Sequence, residues 1–398
     1  MELYQTMKRT KIAHIITGLG TGGAEMVLYR LLKACDRTKY EPCVISLTGT
    51  DALLSARIAA LDIPVYTLGM VQGKFTPSTF ILLARLMRTI RPTIIQGWMY
   101  HGNLAAQVAK FVLSNVHVIW GIHHSLYKLS YEKPLTAAIV RFSAMLSPFP
   151  TQIVYVSHTS RRQHRALGFC ARRDRVIPNG FDTTTFMPSS DARIMLRSEL
   201  GLPTDTLLIG NIGRYHPQKD HANFLRSAAL LNSIYPDTHF LLAGPGIHEQ
   251  NDILCQQIMG LGLKTQVHLL GERDDVPHLM SALDILTSSS AFGESLSLVV
   301  GEAMACGVPC VVTDLGDNRR MLGDTGIMVP ACDSTALARA WTQLIAAGCE
   351  SRRALGIRAR TRIEREYGIE CMVQQYELLY SDAVSDVSGS RNVTISRT

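Results

Sequence analysis

Short apolar runs alternate along this chain with stretches whose apolar residues recur every three or four positions. Ile12–Thr17 is a β-branched run, Glu25–Ala34 has amphipathic helical spacing, and Cys43–Leu47 is a second strand-like run. Thr93–Gln96 and Val116–Trp120 continue the series with a helix over Leu104–Leu113 between them, and Gln152–Ser157 and Val176–Pro178 close it. Strands alternating with helices predict a parallel sheet covered on both faces. The stretch Asn179–Ser190 is turn-rich and aperiodic, and reads as an exit loop and linker. A second series follows, with strands at Leu207–Gly213, His239–Gly244, Val267–Gly271, Ile285–Ser288 and Val308–Asp314. Its helices fall at Ala222–Ser233, Asn251–Met259, Asp275–Ala282 and Leu298–Cys306. The pattern predicts an α/β chain of two doubly wound, Rossmann-like domains. The first spans 1–190 and the second 191–380, the latter with the C-terminal helical segments Ser351–Tyr367 and Met372–Tyr380; the polar stretch 381–398 reads as disordered. Ligands of such sheets gather beyond the carboxyl ends of the strands, so a two-domain chain is expected to hold its substrates in a central cleft.

Composition narrows the class. Of 398 residues, 46% are hydrophobic and 18% charged, which excludes a disordered chain. Nine cysteines stand singly, without a CxxC pair or zinc spacing, so neither a disulfide framework nor a structural metal is expected. The start is polar, and the longest apolar stretch, Leu135–Val156, is broken by Arg141, Pro148 and Pro150. Neither a signal peptide nor a membrane span is expected, and a cytoplasmic protein is. Charge is uneven: residues 1–200 carry a net +13 and residues 201–350 a net −8, which suggests domains with different partners. The basic half lacks a stripe of cations interleaved with aromatics, so nucleic acid is not an expected partner.

Several loops at predicted strand ends carry chemistry. Gly18-Leu-Gly20-Thr-Gly22-Gly23-Ala-Glu25 satisfies G-x-G-x-x-G before a helix, a loop whose backbone can approach a diphosphate. Its weakness as a dinucleotide fingerprint is the missing acidic residue at the end of the second strand. In the second half, Arg214 and Lys219 sit five apart on the loop after a strand, placed to clamp a diphosphate. Glu294 lies in a loop before an apolar helix and Glu302 eight positions later, about 12 Å along a continuous helix. That exceeds the carboxyl spacing of a glycosidase acid/base pair and suits two clamps on an extended ligand. Trp120-Gly-Ile-His123-His124 and Trp98-Met-Tyr100-His101-Gly-Asn103 place histidines at strand ends, facing the expected cleft. No D-x-D occurs, so the usual carboxylate device for a divalent ion on a nucleotide diphosphate is missing and no metal is expected.

Together, Gly22-Gly23-Ala24-Glu25, Ile177-Pro178-Asn179-Gly180-Phe181-Asp182 with Phe186, Gly213-Arg214 with Lys219, and Glu294-x7-Glu302-Ala-Met-Ala resemble the family-4 retaining glycosyltransferases. These are GT-B enzymes of two Rossmann-like domains that use nucleotide sugars, and the resemblance runs over residues 11–380. It looks most like bacterial enzymes of O-antigen and capsule assembly. The resemblance implies that Arg214 and Lys219 bind the donor diphosphate, that Glu294 contacts donor-sugar hydroxyls, and that Glu302 holds the nucleotide ribose. It sets Arg273 near the base and Ser295 and Leu296 along the donor. It aligns His123, or its neighbour His124, with the cleft histidine, and lets Gly22 and Gly23 bring backbone N–H groups to the reaction centre. The family usually has Gly where Ser295 stands, which leaves the sugar open.

The reading that results is a retaining, metal-independent transferase moving one sugar from a nucleoside diphosphate, UDP before GDP, to a hydroxyl of a growing, lipid-diphosphate-linked glycan. No cofactor is expected beyond the donor. Lys128, Lys133 and Arg141 border the apolar stretch Leu135–Leu146, which suits an anionic bilayer and peripheral attachment at the cytoplasmic face of the inner membrane; a core helix with a solvated basic face is the alternative. Rival activities are a sugar-nucleotide epimerase and an NAD-dependent oxidoreductase using the Gly18–Gly23 loop.

Overall fold

The computed structural model describes residues 9–20, 22–49, 53–71, 76–113, 115–126, 129 and 133–389, and divides into two compact units. Lys128 and the segment 390–398 lie outside the described residues. Residues 1–180 and 369–398 form unit 1, and 181–368 form unit 2.

Unit 1 is built on seven parallel strands: β1 (Thr10–Ile16), β2 (Tyr40–Ser46), β3 (Val65–Thr67), β4 (Ile94–Trp98), β5 (His117–Ile122), β6 (Gln152–Tyr155) and β7 (Asp174–Val176). Their spatial order is β3-β2-β1-β4-β5-β6-β7. Ile12 pairs with Pro42 on one side and Ile94 on the other. Strand order therefore reverses between β1 and β4, which makes their carboxyl ends the switch point where doubly wound sheets bind ligands. Unit 2 repeats the plan with six strands: β8 (Leu208–Ile212), β9 (His239–Ala243), β10 (Val267–Leu269), β11 (Ile285–Ser288), β12 (Cys310–Thr313) and β13 (Gly326–Val329). The order is β10-β9-β8-β11-β12-β13, with the reversal between β8 and β11. Central strands of both sheets are buried along their whole length, as parallel strands covered on two faces must be.

The observed units correct the predicted boundary at residue 190. The linker after Gly180 belongs to unit 2: Phe181 N–H donates to the Tyr367 carbonyl at 2.9 Å, its ring packs against Gly301, and Arg360 donates to the carbonyls of Thr183, Phe186 and Ala305. The C-terminal helix belongs to unit 1, and it runs over Ile369–Gly389 where the sequence reading ended helical structure at residue 380. It buries Tyr376, Leu379, Tyr380 and Ala383, and the Tyr380 hydroxyl bonds Gln96 Oε1 at 2.5 Å on β4. Gly180 N–H meets Met372 Sδ at 3.1 Å. Apolar periodicity identifies the helix's buried face; the tyrosine contacts decide which sheet receives it.

In unit 2, Asp284 just before β11 accepts from Arg193 at 2.6 Å, from Arg197 at 2.7 Å and from the Leu208 amide at 2.8 Å. The Arg197 side chain is fully buried and also donates to the carbonyls of Thr206 and Ala282. This network ties the first helix of the unit, Ser190–Glu199, to the two central strands that carry the site.

Candidate functional site

In unit 2 the switch point gathers Arg214, Lys219 and Glu294. Asn211 on β8 donates to Ser289 Oγ at 2.9 Å, and Ser289 donates to the Lys219 carbonyl at 2.8 Å, which pins the 3-10 turn Pro217–Lys219 to the end of β11. That turn sends Lys219 Nζ to Glu294 Oε1 at 2.6 Å, and Ser290 Oγ donates to the same oxygen at 2.7 Å. Burial pushes the Glu294 carboxyl up, but the Lys219 ammonium, the Ser290 hydroxyl and the Arg214 charge together hold it below the usual carboxylate range. Glu294 is thus a buried, ionised carboxylate beside two cations, a set able to bind both a polyhydroxyl ligand and an anion. Arg214 is exposed on the same loop.

The helix after this loop begins only at Leu298. Helical rise therefore accounts for about 6 Å of the Glu294-to-Glu302 interval and not the 12 Å inferred from continuous spacing. Glu302 is buried in that helix, and Ser295 and Leu296 are buried in the loop before it. Of the amides at this end, that of Ser297 already donates to Asn318 Oδ1 at 3.0 Å. Arg273, in the loop after β10, is held by two carboxylates: Asp275 at 2.7–2.8 Å and Glu199 at 2.6 Å.

Three supporting features escaped the sequence reading. Ser290 fixes the Glu294 carboxylate, and its nearest signal was the Ser288-Ser289-Ser290 run at a strand end. The loop after β12 braces the Glu294 loop: Asp317 N–H donates to the Ser295 carbonyl at 2.8 Å, and Asn318 takes the Ser297 amide. Gly316 there has φ +61, and a Cβ would stand 2.4 Å from the Glu294 and Ser295 carbonyl oxygens, so only glycine fits. The turn residues Asp314-Leu-Gly316-Asp317-Asn318 at a strand's carboxyl end were the available signal.

In unit 1 the switch point carries aromatic rings. Trp98 ends β4, His123 follows β5, and their rings stack with centroids 4.8 Å apart and planes at 17°. Burial pulls the His123 pKa down to about 4, with the Asn179 side chain partly opposing it. His124 differs. Its carbonyl accepts from Ser160 Oγ at 2.6 Å, and its ring meets Tyr100 edge-on. Asn103 binds the Gly121 amide and carbonyl at 3.1 Å each, fixing the end of β5 from the helix Met99–Lys110. His101 is half-buried on that helix, and burial lowers its pKa. Gly22 caps the helix Gly23–Ala34 in an extended conformation, and Gly23 opens the helix exposed. Among the described residues no group of three or more His, Cys, Asp or Glu could hold a metal ion, and no helix is long and apolar enough to cross a membrane.

Two Rossmann-ordered sheets of this kind define the GT-B class of fold. Residues 21–185 match the family model described as Glycosyltransferase Family 4, and 206–347 match that described as Glycosyl transferases group 1. The chain belongs to these glycosyltransferases, and it is a transferase of the glycosyl class. It is similar to EpsF of Bacillus subtilis (strain 168), named as a glycosyltransferase, with 24% identity over 321 residues, 76% of this chain and 79% of that one. The UDP-Gal:alpha-D-GlcNAc-diphosphoundecaprenol alpha-1,3-galactosyltransferase of Escherichia coli is 32% identical over 145 residues, 36% of this chain and 37% of that enzyme. The structure of HepE from Anabaena, in complex with UDP and glucose, superposes with a TM-score of 0.82 over 94% of this chain and 100% of that one, at 23% identity.

Proposed function

We propose that this enzyme transfers a sugar from a UDP-sugar, with retention and without a metal, to a hydroxyl of a lipid-diphosphate-linked glycan at an anionic membrane surface. The observation that carries this reading is the Lys219–Glu294–Ser290 cluster beside Arg214 at the β8/β11 switch point. Breaking the glycosyl–phosphate bond leaves negative charge on the diphosphate while the sugar becomes cationic. Lys219 and Arg214 supply the compensating charge that a divalent ion would otherwise bring, and the D-x-D that would hold such an ion is absent. Glu294, kept ionised, accepts hydrogen bonds from the sugar's hydroxyls, and Lys219 is shared with the diphosphate once the donor arrives. Glu302 holds the ribose, and Arg273, Ser295 and Leu296 line the remainder of the donor. On the acceptor side, His123 serves the reacting sugar, and the amides at Gly22 and Gly23 serve the reaction centre. Uracil as the base draws support from HepE, which binds UDP, and the lipid diphosphate from the name of the E. coli relative.

Membrane attachment has a physical basis in the helix Pro134–Leu146. Leu135, Ala138, Phe142, Met145 and the following Phe149 fall at three- and four-residue spacing on its exposed side, with Arg141 among them and Lys133 at the start. Phe142 is 52% and Met145 74% exposed, which supports a surface stripe, while Val140 and Ala144 on the other side of the helix are buried. An apolar stripe edged by cations fits the headgroup boundary of an anionic bilayer.

Two measurements test the proposal. In EDTA, a panel of UDP-, GDP- and dTDP-sugars should raise Tm most for the UDP series, since ligands of the native state stabilise it. A shift that requires Mn²⁺ or Mg²⁺ contradicts the metal-free reading. Co-sedimentation with anionic vesicles should weaken with salt and fall in Phe142→Ser/Met145→Ser; equal pelleting on neutral vesicles, or none on either, removes the membrane.

A further inference from the structure

The unit 1 switch point holds more order than a passive His123 would need. Trp98 is the last residue of β4, and it lies in register with Gly121 on β5, two residues before His123. Its indole is fully buried, and its Nε1–H donates to His14 Nδ1 at 3.1 Å on the neighbouring strand β1. Burial holds the His14 pKa down to about 3, so the imidazole stays neutral and keeps the acceptor lone pair. Tyr376, from the C-terminal helix, stacks against the indole at 6.3 Å with planes at 25°. The backbone turns sharply at once: Met99 has φ +60, a left-handed conformation unusual for a side chain of that size and one that persists only where the surroundings enforce it. The His123 ring is bounded by the Trp98 face and by Gly121, where a Cβ would come 3.6 Å from His123 Nε2. The Asn179 side chain is the hydrogen-bonding partner of the imidazole; one such bond leaves the ring free to turn about it, and the Trp98 face is what sets its plane.

We propose that Trp98 is a positioning residue for the transfer reaction: anchored to His14 and backed by Tyr376, it fixes the plane of the His123 imidazole by stacking. This rests on the reading above in which His123 serves the reacting sugar. A histidine that offers a lone pair or a proton to a sugar hydroxyl is effective only in a narrow range of orientations. A second hydrogen-bonding partner would fix the ring but occupy its other nitrogen; an aromatic face fixes the plane and leaves that nitrogen for ligand. The C-terminal helix thereby contributes to catalysis without touching substrate.

The test compares Trp98→Leu, Trp98→Phe, His123→Ala and the double variant Trp98→Leu/His123→Ala in sugar transfer. Trp98→Leu should lower kcat about 10- to 100-fold with the donor KM and the UDP-induced Tm shift unchanged. Trp98→Phe, which keeps a stacking face, should recover most of that loss. The double variant should be no slower than His123→Ala, because Trp98 acts through that ring. A double variant a further tenfold slower, or Trp98→Phe as slow as Trp98→Leu, overturns the positioning role while leaving His123 in place. Normal turnover in His123→Ala overturns the role of His123 itself, and this inference with it. Should Trp98→Leu fail to fold, His14→Phe removes the anchor and keeps the bulk; its kcat loss should vanish in the His123→Ala background. In the unaltered protein, the His123 ring protons should resonate upfield through the indole ring current, and resonances at ordinary imidazole positions contradict the stack.

Discussion

At the scale of single residues, the decisive feature is that Lys219 and Glu294 satisfy each other before any ligand binds. A carboxylate in that position stays charged despite burial, because a cation 2.6 Å away and a serine hydroxyl stabilise the anion. Glu294→Ala, Lys219→Ala and Arg214→Ala should each lower turnover by about 10²-fold or more, as losing a group aimed at developing charge costs roughly 3–4 kcal/mol. Steady-state assays on the three variants check this, with circular dichroism confirming the fold; near-normal rates in two of them would sink the assignment. These residues were legible because charged side chains on loops after β-branched runs have few structural reasons to be there. Ser290, Gly316 and Asn318 were not, because their work is to hold other residues, and small polar residues in turns look alike whether they brace a site or merely close a loop. Spacing also misled where it assumed one continuous helix from Glu294 to Glu302, since an interval in sequence converts to distance only when its conformation is known.

At the scale of elements, the inner strands were readable, as were the edge strands β7 and β10, but the other two edges were not. Ile285–Ser288 agrees residue for residue with its apolar run, whereas β3 and β13 went unread: the first has only three residues and the second four, each half-exposed at a sheet edge. The course of the C-terminal helix was also hidden, because amphipathic spacing is silent on which sheet a face meets. The Arg193–Arg197–Asp284 network is the element-level link with the largest consequence. Asp284→Ala would leave Arg197 charged and fully buried, and breaking such a pair costs about 3–5 kcal/mol. Urea unfolding of Asp284→Ala should show a loss of that size confined to unit 2. A loss below about 1 kcal/mol would mean that the pair behaves as an exposed salt bridge.

At the scale of the whole molecule, buried histidines set the response to acid. Burial lowers His14 to about 3, and His123, His164, His221 and His268 to about 4, from an ordinary value of 6.5. Between those values the unfolded chain binds more protons than the folded one, so stability rises with pH there and falls as pH drops from about 6.5 toward 4. Each such histidine contributes up to about 1.4 kcal/mol per pH unit. Three of these five lie in unit 1, His14 with the deepest shift among them, so unit 1 should unfold first on acidification. Urea titrations at pH 7.5, 6 and 5 with probes in each unit check the order; equal midpoints at all three contradict it. Glu294 acts only at lower pH, since its depressed pKa keeps its contribution intact until pH falls below the usual carboxylate range.

The most direct measurement of the central claim is sugar transfer itself, followed by NMR of the product. The protein is incubated in EDTA with an α-configured UDP-sugar and a lipid-diphosphate-linked acceptor, and both UDP release and the anomeric configuration of the new linkage are read. The account predicts UDP release that depends on acceptor and an α-linked product, both lost in Glu294→Ala and Lys219→Ala. A β-linked product, or no transfer until a divalent metal is supplied, would contradict it.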